Sequence, residues 1–312
     1  MTNTLPVPAP LKIDIGICTY RRPAVVATLT SLFELDVPPG VAVRLIAADN
    51  DAEPSAKATI DNLRAVSPFD IIYVHCPESN ISIARNACLS ACDADYLAFI
   101  DDDETAPKEW LSELLKTAQE TGAEAVIGPV TAIYKTTAPS WMRKGDFHST
   151  FPVWVKDDII TGYTCNTLLK MSAPSVSGRR FALSLGQSGG EDTHFFSHMH
   201  ADGGRIAYAE KAVLSEPVPD TRASFKWLAK RRFRSGQTHG RLLAESRPGL
   251  QRVAQSATAG AKAVACAGMA LIAIFDPVRR TRQLLRVALH LGSVSGAIGV
   301  KEIRQYGTVE AT

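Results

Sequence analysis

From Ile13 to Gly128 the sequence alternates short β-rich runs with stretches of helical spacing, and this rhythm restricts the fold more than any other property. Ile13-Asp14-Ile15-Gly16-Ile17-Cys18 reads as a strand, Thr19-Tyr20-Arg21-Arg22-Pro23 as a loop, and Val25 to Leu35 as a helix. Strand patterns return at Val41–Ala48, Ile71–Val74, Tyr96–Ile100 and Ala125–Gly128, with helical ones at Ser55–Val66, Ile83–Cys92 and Trp110–Glu120. Strands joined by single helices need crossover connections, so the expectation is an α/β fold with a mainly parallel sheet and helices on both faces. Ligands of such sheets bind beyond the carboxyl ends of the strands. The loops at those ends carry Thr19/Arg21/Arg22, Asp49/Asn50/Asp51 and Asp101/Asp102/Asp103, three polar clusters aimed at one crevice.

Phe99-Ile100-Asp101-Asp102-Asp103-Glu104 is the sharpest chemical signal. At a strand end successive side chains alternate, which predicts Asp101 and Asp103 on one side and Asp102 on the other. Adjacent carboxylates repel unless a cation lies between them, and hard oxygen donors select Mg²⁺ or Mn²⁺. Such an ion could bridge a diphosphate and stabilise it as a leaving group. The same residues also fit the nucleophile loop of a haloacid-dehalogenase-type phosphatase, although that motif usually follows the first strand of its sheet. A nucleotidyltransferase would want a glycine-rich loop where Thr19 to Pro23 has none, and a non-catalytic sugar-nucleotide-binding protein is a third alternative.

Residues from about Pro129 to Ser188 are irregular, rich in aromatics, Gly, Pro and Ser. Gly189-Gly190-Glu191-Asp192 then opens a helix running to about His200, and the positive end of a helix keeps a carboxylate ionised, as a general base must be. His194, His198 and His200 read as surface residues because no third ligand is assured on one helix face. Six scattered cysteines without a C-x-x-C pair, and an N-terminus without a signal-like apolar run, suggest a reducing cytoplasmic compartment.

Charge is divided unevenly. Residues 1–225 hold 19 Lys/Arg against 28 Asp/Glu, whereas residues 226–304 hold 15 against 3. A basic tail implies an anionic partner, and the absence of a nucleic-acid fold before it turns the expectation away from nucleic acid and toward a membrane surface. Ala263 to Phe275 is a run of 13 apolar or small residues, short of the roughly 20 needed to span a bilayer. It and Leu284 to Val300 are read as interfacial helices. The expected organisation is a catalytic domain over residues 1–245 and a basic, apolar helical tail over 246–312.

Taken in order, Thr19-Tyr20-Arg21-Arg22-Pro23, Ala48-Asp49-Asn50-Asp51, Asn80-Ile81-Ser82-Ile83-Ala84-Arg85-Asn86, Asp101-Asp102-Asp103, Gly190-Glu191-Asp192 and Arg231-Arg232-Phe233-Arg234-Ser235-Gly236 resemble the inverting family-two glycosyltransferases of the glycosyltransferase A fold. Within them the ensemble is similar to the glucosyltransferases of bacterial succinoglycan biosynthesis. The resemblance implies that Thr19, Arg21 and Asp49 contact the uracil and ribose of a UDP-sugar, with Asp101, Asp102 and Arg85 completing the donor site. It implies Asp103 as ligand of the Mg²⁺ or Mn²⁺, and Arg231, Arg232 or Arg234 on the leaving diphosphate. Asp192, beside Glu191, would take the proton from the acceptor hydroxyl. Many relatives place a metal-binding His where this chain has Ser215-Glu216-Pro217, so Glu216 is the candidate substitute. The implied reaction transfers glucose from UDP-glucose to a polyprenyl-diphosphate-linked oligosaccharide with inversion, at the cytoplasmic face of the bacterial inner membrane.

Overall fold

The computed structural model describes residues 9–246, 249–301 and 303. Segment 1–8, part of the stretch read as lacking a signal, and residues 247–248, 302 and 304–312 of the tail lie outside them. The chain forms two compact units, the first Met1–Thr131, Thr150–Leu183 and Phe195–Ser215, the second Ala132–Ser149, Ser184–His194 and Glu216–Thr312.

Strand and helix alternate in the first unit as the sequence predicts: β1 (Leu11–Thr19), α1 (Val25–Phe33), β2 (Val41–Asp49), α2 (Lys57–Arg64), β3 (Asp70–His75), α3 (Ile81–Ala91), β4 (Tyr96–Asp101), α4 (Trp110–Thr121) and β5 (Ala125–Ile127). The stretch read as irregular contains β6 (Val130–Ile133), α5 (Ser140–Gly145), a short hairpin of β7 (Trp154–Val155) and β8 (Asp158–Ile159), and β9 (Asn166–Lys170). After it come α6 (Glu191–Ala201), β10 (Ile206–Tyr208) and β11 (Leu214–Pro217). Seven strands join in the order β10-β5-β9-β4-β1-β2-β3, and β9 runs antiparallel between β4 and β5 while the other pairs are parallel. The sheet is therefore mixed and mainly parallel.

Burial on both faces explains the apolar character of these strands. Ile13, Ile15 and Ile17 of β1 pack into one core with α1, α2 and α4, and Leu97 and Phe99 of β4 into another with α3 and the Phe195–Met199 part of α6. Asp14 is buried in β1, and Arg44, its register partner on β2, grips it with a forked pair at 2.9 and 2.7 Å. An isolated buried carboxylate would be costly, and this fork offsets it. Register also aligns the carboxyl ends: Thr19 stands beside Asp49, Cys18 beside Asp101, and Asp49 beside His75.

The second unit is dominated by α7 (Phe225–Ser246), α8 (Leu250–Ile272) and α9 (Pro277–Ala297), so the sequence boundary at 245/246 falls inside it. α7 and α9 approach closely because glycine lines both: a Cβ on Gly236 would strike the Leu289 carbonyl oxygen, and one on Gly292 that of Phe233. Asp276 caps α9, accepting from the amides of Val278 and Arg279 at 3.0 Å each, with Pro277 in the first turn. The apolar stretch of α9 thus turns Leu285 and Ala297 inward, while the end of α8 and the turn after it leave Ile272 86% and Phe275 97% exposed. Among the described residues no helix is long and apolar enough to cross a membrane.

Candidate active site

The carboxyl edge of the first unit's sheet gathers the three polar clusters. Asp49 ends β2 fully buried, and its carboxylate accepts from the Asp51 amide (3.1 Å), the Ala56 amide (2.8 Å) and the Tyr73 hydroxyl (2.8 Å). This carboxylate therefore shapes the loop between β2 and α2. The loop's spare acceptor is on Asp51: Oδ2 takes the Arg21 Nε at 2.7 Å, whereas buried Oδ1 has no partner. The bond from Arg21 holds Asp51 below the usual carboxylate range. Arg21 itself sits at φ +54°, a conformation uncommon for a side-chain-bearing residue. Thr19, at the end of β1, also keeps a buried hydroxyl without a partner.

Asn50 ties this edge to α3. Its side chain accepts from the Asn80 amide at 3.1 Å, and Asn80 in turn caps α3 by accepting from the Ser82 amide at 3.0 Å. Arg85, on the same helix, is buried with its guanidinium 5.6 Å from the centre of the Phe181 ring.

The acidic run departs from the expected alternation. β4 ends at Asp101 and the chain turns, so Asp102 and Asp103 do not continue the strand's pleat. Both meet one guanidinium instead: Arg22 Nη1 lies 2.9 Å from Asp102 Oδ1 and 2.7 Å from Asp103 Oδ2. Glu104 folds back to accept from the Asp101 amide at 2.9 Å. Asp102 is 4% exposed, its Oδ2 has no partner, and burial pushes its carboxyl up to about 7 against the opposing pull of Arg22. Arg22 is the site residue that the sequence reading left without a role. Its signal was present as the second basic residue of the loop after β1, but only the turn after β4 brings the carboxylates to it.

Arg22 thus meets two of the three neighbouring carboxylates, and burial lifts Asp102 toward its neutral form. The donor set is hard oxygen, the kind Mg²⁺ and Mn²⁺ take. Among the described residues no three His, Cys, Asp or Glu side chains form a ready metal cage.

Glu191 and Asp192 open α6 after Gly189 and Gly190, at φ +89° and +95°. Only glycine suits position 190, because a Cβ there would strike the Thr238 side chain of α7. Glu191 is buried and Asp192 half-exposed. In the same unit Glu216 accepts from Arg222 Nη1 at 2.9 Å, so its carboxylate is already engaged. Arg231 and Arg234 are half-buried on α7 and Arg232 is exposed. In the stretch read as irregular, Trp141 packs on Phe147 at 5.7 Å, while Trp154 stands on the β7–β8 hairpin against Tyr208 at 6.4 Å. Asn166 is structural: it accepts from Trp110 Nε1 at 2.9 Å and donates to the carbonyls of Pro129 and Ala212 at 2.9 and 2.7 Å. His198 is exposed and His200 pairs with Asp158 at 2.8 Å. All six cysteines are free thiols.

A family model described as Glycosyl transferase family 2 matches residues 14–177, which hold Thr19, Asp49, Arg85 and the Asp101–Asp103 run. The chain belongs to glycosyltransferase family 2. A curated member, "Succinoglycan biosynthesis protein ExoM" of Rhizobium meliloti (strain 1021), is 60% identical over 97% of this chain and 98% of its own length. The "Glucosyl-dolichyl phosphate glucuronosyltransferase" of Haloferax volcanii is 25% identical over 72% of this chain and 75% of its own. Among solved structures, the mannosyltransferase PcManGT from Pyrobaculum calidifontis in complex with GDP-Man and Mn²⁺ aligns with TM-score 0.62 at 16% identity, covering 92% of this chain and 87% of that one. S. aureus TarS 1–349 in complex with UDP-GlcNAc aligns with TM-score 0.55 at 14% identity, covering 88% and 90%. These two similarities establish the shared fold. Family-2 membership replaces the phosphatase reading of Asp101 and Asp103, whose motif here follows the fourth strand of the chain.

Proposed function

We propose that this glycosyltransferase moves glucose from UDP-glucose onto a polyprenyl-diphosphate-linked oligosaccharide in succinoglycan-type exopolysaccharide synthesis, with inversion, at the cytoplasmic face of the bacterial inner membrane. The observation that carries the reading is the 60% identity, over nearly the full length of both chains, to a succinoglycan biosynthesis protein. The three successive carboxylates Asp101, Asp102 and Asp103 after β4, with the orphaned Oδ2 of Asp102, support a cation-assisted nucleotide-sugar donor.

Each residue then has a role. Thr19 and Asp51 offer buried, unpartnered oxygens to the nucleoside, Arg21 orients Asp51, and Asp49 keeps their loop in shape. Arg85, Asp101 and Asp102 complete the donor site. Asp103 is the proposed ligand of Mg²⁺ or Mn²⁺ and Glu216 a further one, sharing its carboxylate with Arg222. When bound, the ion would supply charge neutralisation for the departing diphosphate. Arg231, Arg232 and Arg234 would add fixed positive charge there. Asp192, beside Glu191 in the first turn of α6, removes the proton from the acceptor hydroxyl, which attacks the anomeric carbon as the bond to the diphosphate breaks. One displacement turns an α-linked donor into a β-linked product. The basic, apolar α8–α9 segment holds the enzyme at anionic lipid, where a lipid-linked acceptor resides.

The test is Asp192→Asn, assayed with UDP-glucose, Mg²⁺ or Mn²⁺ and bacterial membrane lipids. Transfer falls by about 10²–10⁴-fold, the usual worth of a general base, while UDP binding stays within about twofold. Substantial residual transfer removes Asp192 from the base role. UDP-glucose binding by the unaltered protein without transfer to any lipid-linked acceptor would favour a non-catalytic sugar-nucleotide-binding protein instead.

A further inference from the structure

Outside the carboxylate edge, the second unit contains a stack of two rings, Trp227 and His148, that the proposed reaction leaves without a role. Trp227, in the first turn of α7, donates its amide to Ser224 Oγ at 3.2 Å and is half-buried. The His148 ring lies on it nearly parallel, with centroids 5.2 Å apart and planes 17° from one another. Two guanidinium groups approach the same indole: Arg222 at 5.7 Å from the ring centre and Arg231, one helical turn on, at 5.5 Å. Arg231 also reaches the His148 carbonyl oxygen at 3.5 Å, and Arg222 holds Glu216 at 2.9 Å.

His148 is locked in one form. Its Nε2 lies 3.2 Å from the Arg222 carbonyl oxygen, which can only accept, so Nε2 carries the proton. Nδ1 then accepts from the Tyr134 hydroxyl at 3.0 Å, and the oxygen of that hydroxyl takes the His148 amide at 3.0 Å. Burial pushes the imidazole down to about 4, which keeps it neutral beside two arginines. A neutral ring adds no repulsion to the pair and gives the indole a rigid backing.

We propose that Trp227, backed by His148, is a positioning residue that holds Arg222 and Arg231 against one aromatic platform, so that Arg222 restrains Glu216 while Arg231 is kept oriented for the leaving diphosphate. Like charges so close would repel, and the indole face attracts both through its quadrupole. The proposal rests on the assignment of Arg231 to the diphosphate. One indole thereby sets the arrangement of these side chains, which sequence spacing leaves undefined.

The experiment measures UDP affinity in the presence of Mn²⁺ by calorimetry on the full-length protein, with donor KM and kcat alongside. Variants are Trp227→Tyr, Trp227→Phe, Trp227→Leu, Arg231→Gln and the double variant Trp227→Leu/Arg231→Gln. Trp227→Leu should weaken UDP binding about fivefold, and Phe and Tyr should fall between Leu and Trp, because the cation attraction is strongest for indole. In the Arg231→Gln background Trp227→Leu should cost less than about twofold more, since coupled residues are non-additive. Additive effects, or a Trp227→Leu protein with unchanged UDP affinity, would overturn the proposal. If Trp227→Leu does not fold, the Tyr and Phe variants decide, and equal affinities across Trp, Tyr and Phe reject it. Unchanged affinity in the single variant Arg231→Gln removes Arg231 from the diphosphate and the proposal with it, a result distinguishable from the others by the variant in which it appears.

Discussion

Replacing Arg22 by methionine separates two properties of the carboxylate cluster that should move in opposite directions. Arg22 pairs with Asp102 and Asp103, whose side chains are 6% and 18% exposed, while its own is 39% exposed. Exposed ion pairs contribute up to about 1 kcal/mol, and breaking a buried one costs about 3–5, so this intermediate case should lower metal-free stability by about 2 kcal/mol. Urea denaturation of the apo protein reads that loss. Cation binding should improve. A guanidinium about 6 Å from a dication, with the dielectric of water, opposes it by roughly 1.4 kcal/mol, a factor of about ten. Mn²⁺ titration with saturating UDP should therefore show about tenfold tighter binding in Arg22→Met, and added Mn²⁺ should recover stability as mass action requires. Weaker or unchanged Mn²⁺ binding would refute the opposition between Arg22 and the cation, whatever the apo stability does.

Two further outcomes follow from the packing. Asn166→Asp removes both donors to the Pro129 and Ala212 carbonyls and buries a charge at a site with no exposure, so it should destabilise the protein by about 4 kcal/mol in urea; a loss under about 1.5 kcal/mol refutes the role given to that side chain. Ile272→Ser combined with Phe275→Ser should reduce sedimentation with anionic vesicles by tenfold or more, since each apolar side chain entering lipid contributes about 1.5–3 kcal/mol. Undiminished sedimentation shows that the tail's apolar tip is not inserted.

The sequence by itself determined the first five strands and the four helices between them, because each strand there is long enough, or apolar enough, to declare its period locally. It also marked Asp49, Asp101 and Asp192 by their places at strand and helix ends, which are properties of the chain's local geometry. Tertiary structure alone decided β9: five residues with polar Asn166 and Thr167 buried make a strand only when β4 and β5 pair with them from both sides. It likewise decided that the carboxylate of Asp49 is consumed by its own loop while Asp51 keeps a spare oxygen, and that Arg22 meets two acids some eighty residues away in sequence. The ring stack on Trp227 is of the same kind, since His148 lies 79 residues before its indole partner. Periodicity is written between neighbours along the chain, whereas the partner of a buried polar atom depends on which distant segment the folded sheet and helices bring to it.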